Sequence, residues 1–315
     1  MEVKYRMAVF ATEKTIVVVQ GITGKEGAFR TKRMLEYGTK IVAGVTPGKG
    51  GQEVHGIPVY DSIEEAVKAH PEINTAVQFV PARLAKDASF EVIESGIKNL
   101  LIIAEGIPFQ DTMEIVALAK EKGVTVVGPN TSGVISPPIC ELGACCQSAF
   151  HGPGKIGVIS TTGSIQWYVS RLISLGGWGV STMMQIGGDP IRGTDFPEAL
   201  LMYEKDPQTE AMVMIGEIGG DAEIRAADLI ERGEVKKPVI AYIYARTAPP
   251  GKRLGHAGAI IERGGTVESK VKALQKAGAI VITYPWEILG AIKELGIEPI
   301  PELLKTPIKE SKVEE

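Results

Sequence analysis

The stretch TIVVVQGITGKEG, residues 15–27, decides the architecture. Its first half is β-branched and apolar on both faces, the pattern of a strand buried in a parallel sheet. Gly21, Gly24 and Gly27 then turn the chain into an amphipathic stretch that reads as helix from 25 to 37. Outward from there the alternation repeats. Strands are expected in IVAGV (41–45), TAVQFVP (75–81), NLLIIAEG (99–106) and VTVVGPN (124–130). Helices are expected over 62–70, from the third strand to about 96, and over 112–122. Asp61 or Ser62 would cap the helix that Pro71 follows. Strands separated by helices at this spacing build βαβ units, so the fold class is α/β with parallel sheets.

Residues 131–153 interrupt the pattern with Pro137, Pro138, Pro153 and all three cysteines, Cys140, Cys145 and Cys146. They read as a linker with some local structure. The alternation then restarts, with strands in KIGVIS (155–160), VSTMMQIGGDP (180–190), AMVMIGEIGG (211–220), PVIAYIYA (238–245) and AIVITY (279–284), and a helix over 166–175. Two domains are expected, 1–130 and 154–315, which suits 315 residues at roughly 100–200 per domain. The polar end, KTPIKESKVEE, reads as a frayed tail.

Composition excludes several classes. With 34 Lys+Arg against 38 Asp+Glu the formal charge is −4, which leaves no electrostatic footprint for nucleic acid or an anionic membrane. A hydrophobic content of 44% supplies sizeable cores and excludes a disordered chain. No apolar run reaches about 18 residues, so no spanning helix is expected. MEVKYRMAVFATEK lacks the apolar core of a signal peptide. Three clustered cysteines without a C-x-x-C pair indicate neither a zinc site nor a disulfide framework. The expected compartment is reducing and cytoplasmic, with an organelle protein shorn of its transit segment as the alternative.

GITGKEG (21–27) brings backbone N–H groups and a helix start to bear on an anion. A dinucleotide fingerprint would read G-x-G-x-x-G and would want an acidic residue ending the second strand. Here the spacing is G-x-x-G-x-x-G, and the second strand runs into VTPGKGG (45–51), which offers Thr46 and Lys49. A cation there suits a phosphate-rich ligand. The alternative is that the glycines serve only strand–helix packing. Glu105, in IIAEGIP (102–108), stands where open α/β sheets bind ligands, or is a plain surface carboxylate.

GKRLGHAGAII (251–261) sets His256 among small residues that leave its ring room to move. With no second His and no Cys nearby, a metal site is not expected. What remains is a general base, a nucleophile or a structural histidine. A histidine attacking phosphorus needs a carboxylate to fix its tautomer, and GEIGG (216–220) supplies Glu217. It also needs a cradle of helix starts for the phosphoryl oxygens, which GPNTSG (128–133) and STTGS (160–164) can build. His55 in a turn, His70 at a helix end and His151 in the linker read as structural.

Taken together, GITGKEG, GVTPGKGG (44–51), AEGIP (104–108), GPN, IGGDP (186–190), MYEKDPQTEAMVMIGEIGG (202–220) and APPGKRLGHAGAII (248–261) resemble the α subunits of succinyl-CoA synthetase, from about Thr15 to about Leu295. HPEINTAVQFVPAR (70–83) and LIIAEGIP (101–108) also look like the corresponding parts of ATP-citrate lyase and the citryl-CoA synthetase small subunit. The resemblance implies an N-terminal Rossmann-like CoA-binding domain followed by a flavodoxin-like ligase domain. His256 would carry the phosphoryl group and Glu217 would orient it. Thr23, Gly24, Lys25 and Glu26 would line the CoA phosphate loop, and Lys49, Ile103, Ala104 and Glu105 would add CoA contacts. Asn130, Thr131, Ser160, Thr162, Gly163, Ser164, Trp167, Gly187 and Gly188 would form the substrate and phosphate cradle. ATP or GTP, with Mg²⁺, would sit on a separate β subunit of ATP-grasp fold, in keeping with the missing Walker A motif. The implied assembly is an αβ pair or a dimer of pairs.

The departures from the family cluster at the acid pocket. GPNTSG stands where relatives usually read GPNCPG, and STTGSIQWY (160–168) where they usually read SRSGTLTYE, so Trp167 replaces a tyrosine that contacts substrate. PPICELG (137–143) stands where they read PGECKIG. A changed pocket points to a changed carboxylate, because discrimination lies in pocket contacts. Succinate is the leading acid, citrate the alternative and malate a third, and drift in a succinate-using lineage would leave the same pattern. Two other classes compete: a nicotinamide-linked oxidoreductase, disfavoured by Lys49, and a non-catalytic CoA-binding regulator, which would lack the second half.

Overall fold

The computed structural model describes residues 9–245 and 266–305. The first half runs β1 (Val17–Gln20), α1 (Lys25–Tyr37), β2 (Ile41–Val45), β3 (Glu53–Val54), β4 (Ile57–Tyr60), α2 (Ile63–Ala69), β5 (Thr75–Gln78), α3 (Ala85–Glu94), β6 (Asn99–Ile102), α4 (Phe109–Lys122) and β7 (Thr125–Val127). Its sheet has the order β3-β4-β2-β1-β5-β6-β7. The chain builds outward from β1 through β2 to β4, then crosses to β5 and builds the other way. The order therefore reverses between β1 and β5, and a ligand crevice is expected outside their carboxyl ends. Val17, Val18 and Val19 are all fully buried because helices cover both faces. Val17 and Val19 share a cluster with Met34 of α1, and Val18 shares one with Val92 and Ile93 of α3. Each such valine is worth about 1.5–3 kcal/mol.

The second half runs β8 (Gly133–Ser136), β9 (Cys140–Gly143), β10 (Ile156–Ser160), α5 (Gly163–Leu175), β11 (Val180–Gln185), α6 (Phe196–Glu204), β12 (Ala211–Gly216), α7 (Ala222–Glu231), β13 (Val239–Ile243), α8 (Val267–Lys276), β14 (Ile280–Ile282), α9 (Ile288–Glu294) and α10 (Pro301–Leu304). Its order is β14-β13-β12-β10-β11-β8-β9. The five parallel strands follow the flavodoxin-like pattern, with the reversal between β10 and β12. Among the described residues no helix is long and apolar enough to cross a membrane.

Each sheet adds an antiparallel edge to the expected parallel core. β3 and β4 pair antiparallel around His55 and Gly56, whose φ angles of 52° and 81° are those of a two-residue hairpin turn. The pattern of the sequence does not announce this hairpin, since β3 is only two residues long. The stretch 131–153, read from its prolines as a linker, carries the β8–β9 hairpin, and β8 pairs antiparallel with β11. Pro137 and Pro138 form the bend between the two strands rather than a break in structure. Helix α5 also starts at Gly163, three residues before the expected 166, and α4 at Phe109 rather than 112.

The hairpin ties the halves together. Thr39, just after α1, donates its hydroxyl to the Glu141 carbonyl of β9 at 2.7 Å and accepts the Glu141 N–H at 3.1 Å. The Glu141 side chain is 1% exposed and accepts from the Cys145 N–H at 3.0 Å and from Gln147 Nε2. Burial pushes its carboxyl from 4.5 up to about 7, against the pull of the Gln147 and Cys145 hydrogen bonds. Burial likewise pushes the Cys140 thiol up to about 12 and the Cys145 thiol well up, which suits packing rather than reactivity.

A carboxyl whose folded value is raised holds its proton more tightly in the native state. Its stabilisation is complete below pH 4.5 and is lost as the pH rises through about 7. The loss is on the order of 3 kcal/mol. Glu141→Gln should therefore gain on the unaltered chain between pH 5 and pH 8. Calorimetric melting of both at the two pH values checks this, and an equal difference in Tm at each would refute it.

Candidate functional site

Two crevices lie at the carboxyl ends of the strands. The first sits at the β1/β5 reversal. The chain leaves β1 at Gly21, where φ is 76° and a Cβ would lie under 3.0 Å from the Phe79 carbonyl oxygen. A Cβ on Gly27 would crowd the Gly21 carbonyl in the same way, so the first turn of α1 can pack on the loop only because both positions lack a side chain. Gly24 caps α1 without any side-chain hydrogen bond, and Gly24, Lys25 and Glu26 are exposed. The helix start therefore presents free N–H groups and about half a positive charge. Glu26 is drawn to Arg30 at 2.6 Å.

Thr23 donates to Thr46 at 3.2 Å, which ties this loop to the turn carrying exposed Lys49. Ile103, Ala104 and Glu105 follow β6, which β5 separates from β1, and the Ile103 N–H reaches the Gln78 carbonyl at the end of β5 at 3.4 Å. Glu105 and Asp189 share the lining of a cavity of about 260 Å³ with Phe109 and Thr112. A glycine cradle, an uncapped helix start and two lysines fit a phosphate-bearing cofactor.

The second crevice sits at the β10/β12 reversal. The Ser160 hydroxyl donates to the Thr162 carbonyl at 2.9 Å and accepts the Thr162 N–H at 3.0 Å, which folds the turn into α5. Thr162 caps α5 with no side-chain hydrogen bond, so this helix start is open too, with Gly163 half-buried and Ser164 exposed. The half-buried Trp167 ring comes within 4.0 Å of a Cβ built on Gly163. Among the described residues, Trp167 Nε1, Thr161 Oγ1 and Gln166 Oε1 are buried and meet no hydrogen-bond partner. Glu217 stands at the end of β12, 5% exposed. The chain leaves the described part at Ala245, after β13, and resumes at Thr266, before α8; His256 lies outside the described residues.

A belt of hydrogen bonds joins the crevices. Asn130, with φ of 58°, receives the Gly188 N–H on its carbonyl at 3.1 Å, donates its own N–H to Ala104 at 2.8 Å, and donates Nδ2 to Asp189 at 3.0 Å. Thr131 donates its hydroxyl to the Gln185 carbonyl, and the Ser132 N–H donates to Gln185 Oε1. Gln185 Nε2 donates to the Thr161 carbonyl at 3.3 Å, and Gln166 Nε2 to Ser132 at 3.0 Å. Gly187 passes so near the Pro129 carbonyl that a side chain there would collide. Asn130, Thr131, Ser160, Thr162, Gly163, Gly187 and Gly188 thus converge, and Ala104 links them to the first crevice.

Sequence reasoning missed Gln185, Gln166 and Asp189. No signal singled out Gln185, since Ser181 and Thr182 of the same strand are polar and buried as well. It also missed the buried pair Lys270 and Glu223. Lys270 falls between Val267 and Leu274 on the buried stripe of α8, and that spacing could have exposed it. Among the described residues no group of three or more His, Cys, Asp or Glu is arranged to hold a metal.

Residues 12–106 match the family described as the CoA binding domain, and residues 159–280 match the CoA-ligase family. The chain is 51% identical over 290 residues to subunit alpha 2 of the ADP-forming succinate–CoA ligase of Archaeoglobus fulgidus, covering 92% of this chain and all of that one. It is 46% identical over 294 residues to a subunit of the ADP-forming sulfoacetate–CoA ligase of an Acholeplasma species, covering 92% and 99%. Among solved structures, the ATP citrate lyase of Methanosaeta concilii superposes with a TM-score of 0.84 at 24% identity, over 92% of this chain and 51% of that chain, which shows a shared fold.

Gly27→Ala should move the α1 start off the β1 loop and weaken CoA binding at least about tenfold, with little loss of helix content because alanine favours helix. Calorimetric titration with CoA checks this, and unchanged affinity would show that the close packing at Gly27 does not shape the site.

Proposed function

The chain belongs to the family of alpha subunits of ADP-forming succinate–CoA ligases, and from that premise we propose that it relays a phosphoryl group through His256 to a small dicarboxylate, succinate first. The observation that carries the reading is the pairing of two open helix starts, at Gly24 and at Thr162, on crevices joined by one hydrogen-bond belt, with Glu217 beside the second. The division of labour is 1–130 for CoA, 154–315 for the ligase chemistry, with 131–153 between them.

His256 attacks the γ-phosphorus of a nucleotide, so that a P–N bond forms as the bond to the departing diphosphate breaks. Glu217 holds the second ring nitrogen and fixes the tautomer. The open N-terminus of α5 and the amides around Gly187 and Gly188 meet the phosphoryl oxygens, where preorganised dipoles count most. A carboxylate oxygen of the acid then takes the phosphorus, the P–N bond breaks, and an acyl phosphate results. Coenzyme A supplies the thiol that displaces orthophosphate from it. Thr23, Gly24, Lys25, Glu26, Lys49, Ile103, Ala104 and Glu105 hold that cofactor. ATP or GTP with Mg²⁺ belongs to a β-type partner of ATP-grasp fold in an αβ or doubled αβ assembly, and the compartment is the cytoplasm.

A second reading takes a different acid, citrate or a sulfonate such as sulfoacetate. It is supported by the unpartnered Thr161, Gln166 and Trp167 atoms at the α5 start and by the sulfoacetate–CoA ligase relative.

In the complex with the partner subunit, labelled ATP should place acid-labile label on this chain, and His256→Asn should abolish it. CoA with succinate should discharge the label faster than CoA with citrate, malate or sulfoacetate. Discharge by one of the others alone would replace succinate, and no label at all would overturn the relay.

A further inference from the structure

Lys270 is fully buried, and its ammonium is used completely. It donates to the Glu217 carbonyl at 2.7 Å, to the Gly219 carbonyl at 2.5 Å and to the Glu223 carboxylate. The other oxygen of Glu223 accepts the Glu217 N–H at 3.1 Å. One ion pair thus holds Glu217 by both of its main-chain polar groups. The loop needs such a hold, because Gly219 and Gly220 take φ of 86° and 62° and impose little stiffness of their own. A buried ion pair is poor evidence of stabilisation, since a well-packed apolar pair often does as well. Its product here is a single backbone conformation. Glu223 comes from α7, which the loop enters, and Lys270 from α8, which follows residues 246–265. Burial raises the Glu223 carboxyl above its ordinary value while the Lys270 charge pulls it down, and the pair stays together because each is the other's charge partner.

We propose that Lys270 and Glu223 are positioning residues: they clamp the main chain of Glu217 and so aim its carboxylate during phosphoryl transfer. This rests on the role of Glu217 proposed above. Both residues act through the main chain of Glu217.

The test uses the complex with the partner subunit and labelled ATP. Lys270→Met combined with Glu223→Gln removes both charges together and spares the fold an orphaned ion. The labelling rate should fall about 100-fold, the cost of a misplaced group near 1 Å, while the KM for ATP and the affinity for CoA stay unchanged. Gly216→Ala gives a second route, since its Cβ would collide with Glu223 Oε1 without removing a charge; it too should slow labelling. Lys276→Met, on the exposed end of the same helix, should label at the unaltered rate. In the unaltered complex the Glu217 amide should resist hydrogen exchange. Full-rate labelling in both clamp variants, or a freely exchanging Glu217 amide, would overturn the clamp while leaving the relay standing. An unaltered complex that takes no label would overturn the relay and the clamp with it.

Discussion

Gln185 is the residue on which the rest depends. It closes β11, is 5% exposed, and makes three hydrogen bonds to the loops after two other strands. Its carbonyl and its Oε1 hold Thr131 and Ser132, which follow β7 of the first sheet, and its Nε2 holds Thr161 after β10. A buried amide left unpaired would cost about 1–3 kcal/mol, so the loops after β7 and β10 must meet where this side chain can serve both. That requirement fixes the two sheets relative to each other at their functional ends. The β8–β9 hairpin does the same further out, through Thr39 and Glu141.

From this junction follows a division of chemistry. Each crevice opens where strand order reverses, and each ends in a helix whose N-terminus no side chain caps. Some helices are capped: Ser62 accepts the Glu65 N–H on α2, Asp195 and Glu198 form a reciprocal capping box on α6, and Thr266 accepts the Ser269 N–H on α8, whereas α3, α4, α7, α9 and α10 share the uncapped start of α1 and α5. Leaving α1 and α5 open forgoes that stabilisation, roughly 1 kcal/mol each, at the two reversals of strand order. Glycine serves the first crevice by letting α1 sit against the β1 turn, whereas polar side chains around Gln185 shape the second.

Much of the local structure was legible because its physics is local. β2 and α1 fall on the expected residues, since an apolar β-branched run and an amphipathic run bounded by glycines leave few alternatives. Ser62 does cap α2, and His55 and His70 do lie at a turn and a helix end. The hairpins were not legible. β3 is too short to show a period, and β8 and β9 are hidden by the prolines between them, which signal a bend equally well in a linker and in a hairpin. The early start of α5 was missed because Gly163 and Ser164 are weak helix formers; tertiary packing, not propensity, starts that helix there.

By itself the sequence determined the α/β class, the order of the main strands and helices, and the glycine turn that leads into α1, all of which depend on residue type and spacing within a dozen positions. Its longer motifs also pointed to the family that the relatives establish. Only the tertiary structure decided which polar residues meet. Gln185 and Ser132 are 53 positions apart, and Lys270 and Glu223 are 47 apart. Hydrogen bonds and ion pairs act over about 3 Å in space, so the apolar stripe of α8 can mark Lys270 for burial, but only the packed helices decide that Glu223 is its partner.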